Sequence, residues 1–338
     1  MDGGPKIAVL GAGTIGCFIG GAWQAAGLPV TFIGRPRLSQ DIDRNGLIVS
    51  DYTGWEVRLP PGDVDYRCGP EALDQADVIL VAVKSGDTAG AAEEIDKYGR
   101  DGATVISFQN GISNIEVLER GLRGRFEIAR GMVGYNIVYL GDGRFHKAVA
   151  GDLWTENRDA TQELAERIGA GAARLKLSDD MLGVAWGKLL INMNNAVNAL
   201  SGRTLLNELR KRDYRRVFAA AVREGLRLLS RSEIEPAKVG PVSFPLLVRI
   251  LESPDWLFNT VFFRVWKIDP TARSSMSDDL AIGRKTEVDY LNGELIRLAE
   301  RLRLAAPVNR AIVDLVHKAE AGASALAPTA LRTAVLGD

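Results

Sequence analysis

The sequence predicts an α/β fold in which a parallel β-sheet fills the N-terminal part and helices alone form the C-terminal part. An apolar run from Ile7 to Leu10 predicts a buried strand, and a glycine-rich turn and a helix-like run follow it. Residues 77–83 and 103–108 predict further buried strands. From Ser178 onward the pattern becomes helical, so the predicted domains are 1–178 and 179–338.

Length and composition agree with two globular domains. The chain has 338 residues, of which 46% are hydrophobic and 25% charged, and one core rarely organises a chain of that length. The 42 basic residues nearly balance the 43 acidic ones. This balance gives no electrostatic case for nucleic acid as a partner.

Two cysteines and two histidines are too few for a disulfide framework, a zinc site or a Ser-His-Asp triad, so no metal is predicted. The most apolar segment, 242–266, is interrupted by prolines and charges and cannot be a membrane span. A lid, a dimer surface and ordinary core remain open for it. No signal-peptide pattern precedes the first strand, which makes the cytoplasm the expected compartment.

The turn after the first strand has the glycine spacing of a dinucleotide-binding site. Gly11 would allow the tight turn, Gly13 the close approach of a pyrophosphate, and Gly16 the close packing of helix on strand. The phosphates would lie at the helix N-terminus, which favours anions. The alternative is a turn that only connects two packed elements.

The second strand, 29–33, ends at Arg35, about 20 residues beyond the glycines, where such folds bind the adenosine ribose. An acid is usual there in NAD binders. An arginine suits a 2′-phosphate, so NADP(H) is favoured over NAD(H). A solvated arginine after a strand is the alternative.

Lys84 and Asn110 follow the strands 77–83 and 103–108. Ligands of parallel sheets bind beyond the carboxyl ends of the strands, so both residues are candidates for cofactor or substrate contacts. For Lys84 alone, a solvated side chain is the simpler interpretation. Two longer strands, 130–140 and 147–154, are predicted to follow.

The first helix of the C-terminal part is predicted from about Ser178 to Leu200. Lys188, Asn192 and Asn195 share one of its faces, because they are spaced i, i+4 and i+7. A polar stripe on an apolar helix needs partners if it is buried. Either a ligand or a neighbouring helix could supply them, and which of Asn194, Asn195 and Asn198 faces a substrate stays open.

Further helices are predicted along the rest of the chain. One spans 205–232 with its basic residues exposed, and Ser275 and Asp278 predict a capping box that opens another, in which Glu287 lies further along. The alanine-rich end after Glu320 is expected to be loosely ordered.

In this combination and order, the motifs resemble the ketopantoate reductase (2-dehydropantoate 2-reductase) family, from residue 7 to about 293. The matching motifs are Gly11-Ala12-Gly13-Thr14-Ile15-Gly16, Arg35, Val83-Lys84, Gln109-Asn110-Gly111, Lys188-Leu189-Leu190-Ile191-Asn192, Ser274-Ser275-Met276 with Asp279, and Lys285-Thr286-Glu287-Val288-Asp289.

The resemblance implies an N-terminal Rossmann domain, a helical C-terminal domain like that of 6-phosphogluconate dehydrogenase, and an active site in the cleft between them. It implies that Lys188 is the general acid and Glu287 its orienting partner. The implied substrate-binding residues are Asn110, Asn192, Asn195 and Ser275. The implied cofactor-binding residues are Gly11, Gly13, Thr14, Ile15, Gly16, Arg35, Lys84 and Asn110.

The implied reaction is the NADPH-dependent reduction of 2-dehydropantoate to pantoate, in pantothenate and coenzyme A synthesis. Separately from the resemblance, the apolar segment from Phe244 to Trp266 makes a homodimer plausible. Two positions depart from the family, because Ala196 and Ala272 stand where asparagines are common. Both affect the substrate side. A reductase of another branched or bulky 2-keto acid is therefore the first alternative, and a non-catalytic NADP(H)-binding protein the second.

Overall fold

The structure, a computed structural model, describes residues 4–238, 242–265 and 269–337. Contacts within the chain divide it into two units, residues 1–181 and 182–338. The division lies three residues beyond the predicted one.

The N-terminal unit contains twelve strands among the described residues. They are β1 (Ile7–Leu10), β2 (Val30–Ile33), β3 (Leu47–Asp51), β4 (Glu56–Leu59), β5 (Asp65–Arg67), β6 (Val78–Val81), β7 (Thr104–Ser107), β8 (Glu127–Val133), β9 (Ile137–Tyr139), β10 (Arg144–Lys147), β11 (Leu153–Glu156) and β12 (Leu175–Ser178).

Eight of these strands form one sheet, in the order β12-β11-β8-β7-β6-β1-β2-β5. All neighbouring pairs are parallel except β8 and β11, which are antiparallel. The other four form a smaller mixed sheet, β4-β3-β10-β9. The carboxyl ends of β1, β2, β6 and β7 therefore meet at one edge of the larger sheet, as predicted.

The chain forms fourteen α-helices in its described part. They are α1 (Thr14–Ala25), α2 (Pro36–Asn45), α3 (Thr88–Tyr98), α4 (Asn114–Leu122), α5 (Asp159–Ile168), α6 (Met181–Ser201), α7 (Leu205–Leu209), α8 (Arg212–Arg231), α9 (Phe244–Glu252), α10 (Asp255–Val265), α11 (Ser275–Ala281), α12 (Asn292–Leu302), α13 (Pro307–Glu320) and α14 (Pro328–Leu336).

Both faces of the larger sheet are buried, which explains why its strands are apolar without alternation. Ile7 and Val9 of β1 belong to a core that includes α1, whereas Ala8 and Leu10 belong to a second core that includes α3 and α4. In the helical unit, α8 packs against α9, α12, α13 and α14.

Between residues 127 and 156 the structure has four strands where the sequence predicted two. The predicted strand 130–140 is divided into β8 and β9, and these strands belong to different sheets. The interruption lies at Gly134, where an added Cβ would come within 2.6 Å of the Asp152 carbonyl oxygen. The close approach of two backbones ends the first strand here. α2 and β3 were not predicted from the sequence.

The predicted helix 205–232 is broken into α7 and α8. Lys211 takes an extended conformation as the N-cap of α8. The Leu209 carbonyl oxygen at the end of α7 accepts a 2.8 Å hydrogen bond from Arg215 Nη1. A buried arginine thus bonds a terminal carbonyl group of α7, and the expectation that the basic side chains here are all exposed was wrong.

The helix that was predicted to include Glu287 ends at Ala281. Gly283 follows in the left-handed region, with φ +66°, and the Arg284 N–H bonds back to the Asp279 carbonyl. The residue that caps the start of this helix is Ser274 and not Ser275, because Ser274 Oγ accepts from the Ser277 N–H at 3.2 Å.

The apolar segment forms α9 and α10. Phe244 and Phe258 are buried, whereas Trp256 is 71% exposed, so the segment contributes both to core and to surface. The predicted segment's last residue, Trp266, lies outside the described residues. The alanine-rich C-terminus is ordered as α14, which packs on α8.

Candidate active site

The three glycines of the first turn have three different surroundings. Gly11 has φ +92°, and a Cβ there would lie 2.5 Å from the Val83 backbone nitrogen. A Cβ on Gly16 would lie 2.7 Å from Gly11 O and from Val9 Cγ1. Gly13 is exposed, and the nearest atom to its Cβ position is 3.9 Å away. Two glycines therefore permit packing, and Gly13 leaves open space on the solvent side.

This open space lies at the start of α1. Gly13 is the N-cap residue and offers no side-chain acceptor to the first-turn N–H groups, which include those of Thr14 and Ile15. Such groups bind anions, and the missing Cβ leaves room for one to approach. The turn fits the pyrophosphate of a dinucleotide.

Arg35 lies at the carboxyl end of β2, exposed, as the N-cap residue of α2. The neighbouring Gly34 leaves room for the hydroxyl of Tyr66 of β5, which a Cβ at this position would meet, and Tyr66 was not predicted as a site residue from the sequence. Tyr66 Oη donates a 2.9 Å hydrogen bond to Ala12 O, and its ring stacks on Phe32 with centroids 6.3 Å apart. Tyr66 thus joins the glycine turn to the segment that carries Arg35.

Asn110 follows β7, and its backbone is fixed by buried polar side chains. Its carbonyl oxygen accepts from Ser85 Oγ at 2.9 Å and from Asn114 Nδ2 at 2.5 Å. Gln109 Nε2 donates to Thr88 Oγ1 at 2.8 Å. The exposed side chain of Asn110 therefore projects from a rigid turn.

Lys84 is exposed and precedes the 3₁₀ turn Ser85–Asp87. The buried side chains that support both turns, those of Ser85, Thr88 and Asn114, were missed. The signal that could have found them is their position, since polar residues between an apolar strand and the helix that follows it need partners if they are buried.

On α6, Lys188 and Asn195 are half-buried and Asn192 is 9% exposed. Desolvation by burial lowers the pKa of the Lys188 ammonium below its usual value. Within the described part of the helical unit, no residue forms a hydrogen bond with the side chains of these three residues. The stripe is thus not explained by bonds to a neighbouring helix of that unit.

Asn194 and Asn198 point to another side of α6, where both donate to Glu208 Oε2, at 3.1 and 3.3 Å. Their amide groups are engaged inside the helical unit. This leaves Asn195 as the one of the three candidate asparagines that shares the Lys188 face without such bonds.

Ser275 is the exposed first residue of α11. The preceding Ser274 ties this end of the helix to α6, because its N–H donates to Asn198 Oδ1 at 2.9 Å and its Oγ donates to the Asn195 carbonyl at 3.1 Å. The structure therefore brings Ser275 to the helix that carries Lys188.

Glu287 is half-buried and begins the 3₁₀ turn Val288–Tyr290. This turn is bonded to α13, since Glu320 Oε1 accepts from the Thr286 N–H at 2.7 Å and His317 Nε2 lies 3.1 Å from Asp289 Oδ2. Glu287 thus belongs to a segment separate from α11, although the sequence placed both in one helix.

In the described part of the chain, no three or more His, Cys, Asp or Glu side chains are placed to hold a metal ion. No helix in that part of the chain is long and apolar enough to cross a membrane.

Two models of one protein family match this chain. The model for "Ketopantoate reductase PanE/ApbA" matches residues 7–160, and the model for its C-terminal domain matches residues 180–320. The chain belongs to the ketopantoate reductase family. It is an oxidoreductase of that family.

Individual relatives cover nearly the whole chain. The 2-dehydropantoate 2-reductase of Archaeoglobus fulgidus is 25% identical over 94% of this chain and 98% of its own. A ketopantoate reductase structure from Ralstonia eutropha JMP134 has a TM-score of 0.80 and 28% identity, and the match covers 94% of this chain and 98% of that one.

A D-mandelate dehydrogenase structure with NADH and anilino(oxo)acetate also shares the fold. Its TM-score is 0.78 and its identity 22%, and the match covers 94% of this chain and 98% of that one. These likenesses confirm the predicted fold class. They also show that ketopantoate reductases share this fold with a D-mandelate dehydrogenase.

Proposed function

We propose that this protein is an NADPH-dependent 2-dehydropantoate 2-reductase that acts in pantothenate and coenzyme A synthesis. The observation that carries the proposal is Lys188, a desolvated lysine on the same helix face as Asn192 and Asn195. A family of 2-keto acid reductases needs a proton donor at the reacting carbonyl, and this stripe offers a lysine followed on the same face by two amide groups.

For the cofactor, we propose that the glycine turn holds the pyrophosphate and Arg35 the 2′-phosphate. The open space at Gly13 and the exposed guanidinium support this assignment. Lys84 and Asn110, at the carboxyl ends of β6 and β7, are proposed as further cofactor contacts.

NADPH, when bound, supplies a hydride to the carbonyl carbon of the substrate. Negative charge then develops on the carbonyl oxygen, and the Lys188 ammonium stabilises that charge and donates the proton. A lowered pKa makes this ammonium a stronger acid than an exposed lysine. We propose that Glu287 orients it.

Neutral donors complete the proposed site. The amide groups of Asn110, Asn192 and Asn195 and the hydroxyl of Ser275 suit the carboxylate and hydroxyl groups of the substrate. Because these donors carry no charge, they leave Lys188 as the cation at the reacting oxygen.

A second candidate substrate is another branched or bulky 2-keto acid. Ala196 is fully buried on the same side of α6 as Asn192, so this position offers the substrate no amide group. The D-mandelate dehydrogenase that shares the fold was solved with anilino(oxo)acetate, a 2-keto acid derivative with a bulky substituent.

The test is a panel of 2-keto acids, with NADPH oxidation followed by absorbance and compared as kcat/KM. We expect 2-dehydropantoate to be preferred. A higher kcat/KM for a bulky aromatic keto acid would move the protein to the second candidate. NADPH binding with no oxidation by any keto acid would support a non-catalytic NADP(H)-binding protein instead.

We also propose an oligomeric state and a cellular compartment for this protein. One relative, from Staphylococcus aureus, is described as a dimeric ketopantoate reductase, and Trp256 and Val261 expose apolar surface on α10 of this chain. We propose a homodimer, which a solution mass measurement tests. A cytoplasmic location follows from the proposed biosynthetic role.

A further inference from the structure

Glu208 of α7 is fully buried in the helical unit, and its two carboxyl oxygens have different surroundings. Oε2 accepts from the side-chain amides of Asn194 and Asn198, both on α6. Oε1 has no hydrogen-bond partner among the described residues, and neither has Asn194 Oδ1. Two buried acceptors are thus unpaired within one small cluster.

The charged and titratable groups around this carboxyl are Arg215 and Tyr214 of α8 and Arg203 before α7. Arg215 is fully buried, but its guanidinium is engaged elsewhere. It donates to the carbonyl oxygens of Leu209, Leu251 and Ser253 and to the Asp255 carboxylate. Tyr214 Oη donates to the Leu326 carbonyl oxygen. None of the described cations is hydrogen-bonded to Glu208.

A proton on Glu208 would give the two unpaired oxygens, Glu208 Oε1 and Asn194 Oδ1, a hydrogen bond to each other. A buried carboxylate that is bonded only by neutral amides is costly, whereas a carboxylic acid adds an O–H donor. The unpaired Asn194 Oδ1 is an acceptor on the amide that already donates to Oε2. Acid and amide can then form a reciprocal pair. In agreement, burial raises the pKa of Glu208 to about 8, although Asn194, Asn198 and Arg215 act in the opposite direction.

The cluster reaches the proposed active site through Asn198. Its amide nitrogen donates to Glu208, while its Oδ1 accepts from the Ser274 N–H at 2.9 Å. Ser274 is the N-cap of α11 and is followed directly by Ser275. Asn198 therefore connects the buried acid to the end of α11 that presents Ser275.

We propose that Glu208 is a positioning residue that works as the neutral carboxylic acid: it holds Asn194 and Asn198, and through Asn198 it fixes Ser275 beside the helix that carries Lys188. The protonation state stands independently of the enzyme's reaction. The catalytic consequence rests on the function proposed above, so the two are tested separately.

The first test compares Glu208→Gln with the unaltered chain. Glutamine mimics the neutral acid, since its NH2 group can donate to Asn194 Oδ1. An acid with a raised pKa makes the folded chain lose stability as pH rises from about 4.5 to about 8, because the folded state holds the proton more tightly than the unfolded state. Glu208→Gln lacks this loss.

We therefore expect the melting temperature of Glu208→Gln to rise relative to the unaltered chain between pH 5 and pH 8, by roughly 2–5 °C per pH unit. Glu300→Gln is the matched control, the same chemical change in an exposed ion pair with Arg310, and should show no such trend. If Glu208→Gln instead melts lower than the unaltered chain by the same amount at every pH, the proposal that Glu208 is a neutral acid is wrong.

NMR gives a direct readout. In the full chain labelled with 13C at glutamate carboxyl groups, the Glu208 signal, identified as the one absent from Glu208→Gln, should stay protonated at neutral pH and titrate near pH 8. Titration of every glutamate carboxyl below pH 6 would equally overturn the proposal.

The positioning role is tested with the keto acid and NADPH. Glu208→Ala should lower kcat by roughly 10- to 100-fold while the Kd for NADPH stays unchanged, and Glu208→Gln should restore kcat. Equal loss in both variants would contradict positioning by the neutral acid. If no keto acid is reduced by the unaltered chain, the proposed function fails, while the melting and NMR results still decide the protonation state.

Discussion

The glycine turn and the Lys188 face of α6 are built in different ways, although each supplies one part of the proposed site, the first for the cofactor and the second for the substrate. At the glycine turn, backbone geometry makes the site: Gly11 and Gly16 allow close packing, and Gly13 leaves open space at the start of α1. On α6, side chains make the site, and helical phase decides which of them are presented. Lys188 and Asn192 lie on one face, whereas Asn194 bonds Glu208 on another.

The difference shows where each half is vulnerable. A backbone site tolerates no added atom at its packed positions, but it depends on few side chains. A side-chain site keeps its fold when a ligand-facing residue is shortened, but it loses the chemistry that this residue supplies. Substitutions at the packed glycines should therefore lower stability, whereas substitutions of ligand-facing side chains on α6 should lower activity and leave stability nearly unchanged.

The largest effect is expected for Lys188→Ala. Loss of the proposed proton donor should lower kcat by roughly 10²- to 10⁴-fold, because general acid catalysis contributes that much. The Kd for NADPH should change little, and so should the melting temperature. Lys318→Ala, at an exposed position of α13, is the control. A Lys188→Ala enzyme with the original kcat would remove the lysine from the mechanism.

Gly16→Ala and Gly13→Ala form a matched pair at the glycine turn. A Cβ at Gly16 would lie 2.7 Å from Gly11 O, so we expect a loss of about 1–3 kcal/mol in the free energy of unfolding. A Cβ at Gly13 meets no atom nearer than 3.9 Å and should leave stability unchanged while NADPH binding weakens. Denaturant unfolding and NADPH titration measure the two effects. Equal stability losses would contradict the assigned roles.

The two regions also differ in how far the sequence could predict them. The spacing of Gly11, Gly13 and Gly16 between an apolar run and a helix specifies a backbone conformation directly, and Arg35 follows at a fixed distance. On α6, periodicity placed Lys188, Asn192 and Asn195 on one face, but it could not show that Asn194 and Asn198 bond a buried acid. That acid belongs to another helix, and only the packed structure brings it near.

The errors in the helical unit have a common physical origin. The sequence predicted one helix over 205–232 and another that included Glu287, because both stretches carry helix-forming residues. Tertiary contacts ended them instead. Arg215 bonds a terminal carbonyl of α7, and Gly283 reverses the chain after α11. Local propensity is a weak guide where a buried ion or a left-handed residue decides the end of a helix.

Arg35→Ala tests the cofactor region at a side chain rather than at the backbone. Loss of a charge-assisted hydrogen bond to a 2′-phosphate should weaken NADPH binding by roughly 10- to 100-fold and leave NADH binding nearly unchanged. Arg44→Ala, an exposed position near the end of α2, is the control. Titration of both dinucleotides into both variants gives the result. Equal weakening of NADH and NADPH would show that Arg35 does not bind the phosphate.

The smallest effect is expected for Tyr66→Phe, which removes one hydroxyl and keeps the ring on Phe32. The lost bond to the Ala12 carbonyl should cost about 0.5–1.5 kcal/mol in the free energy of unfolding. This bond ties the glycine turn to Tyr66, whose ring stacks on Phe32 of β2 ahead of Arg35. The binding free energy of NADPH should therefore weaken by a similar amount, while kcat at saturating NADPH is retained. An unchanged NADPH affinity, with the stability loss present, would mean that the turn keeps its shape without this side chain. The glycine turn itself would then depend on its backbone alone, in contrast to α6.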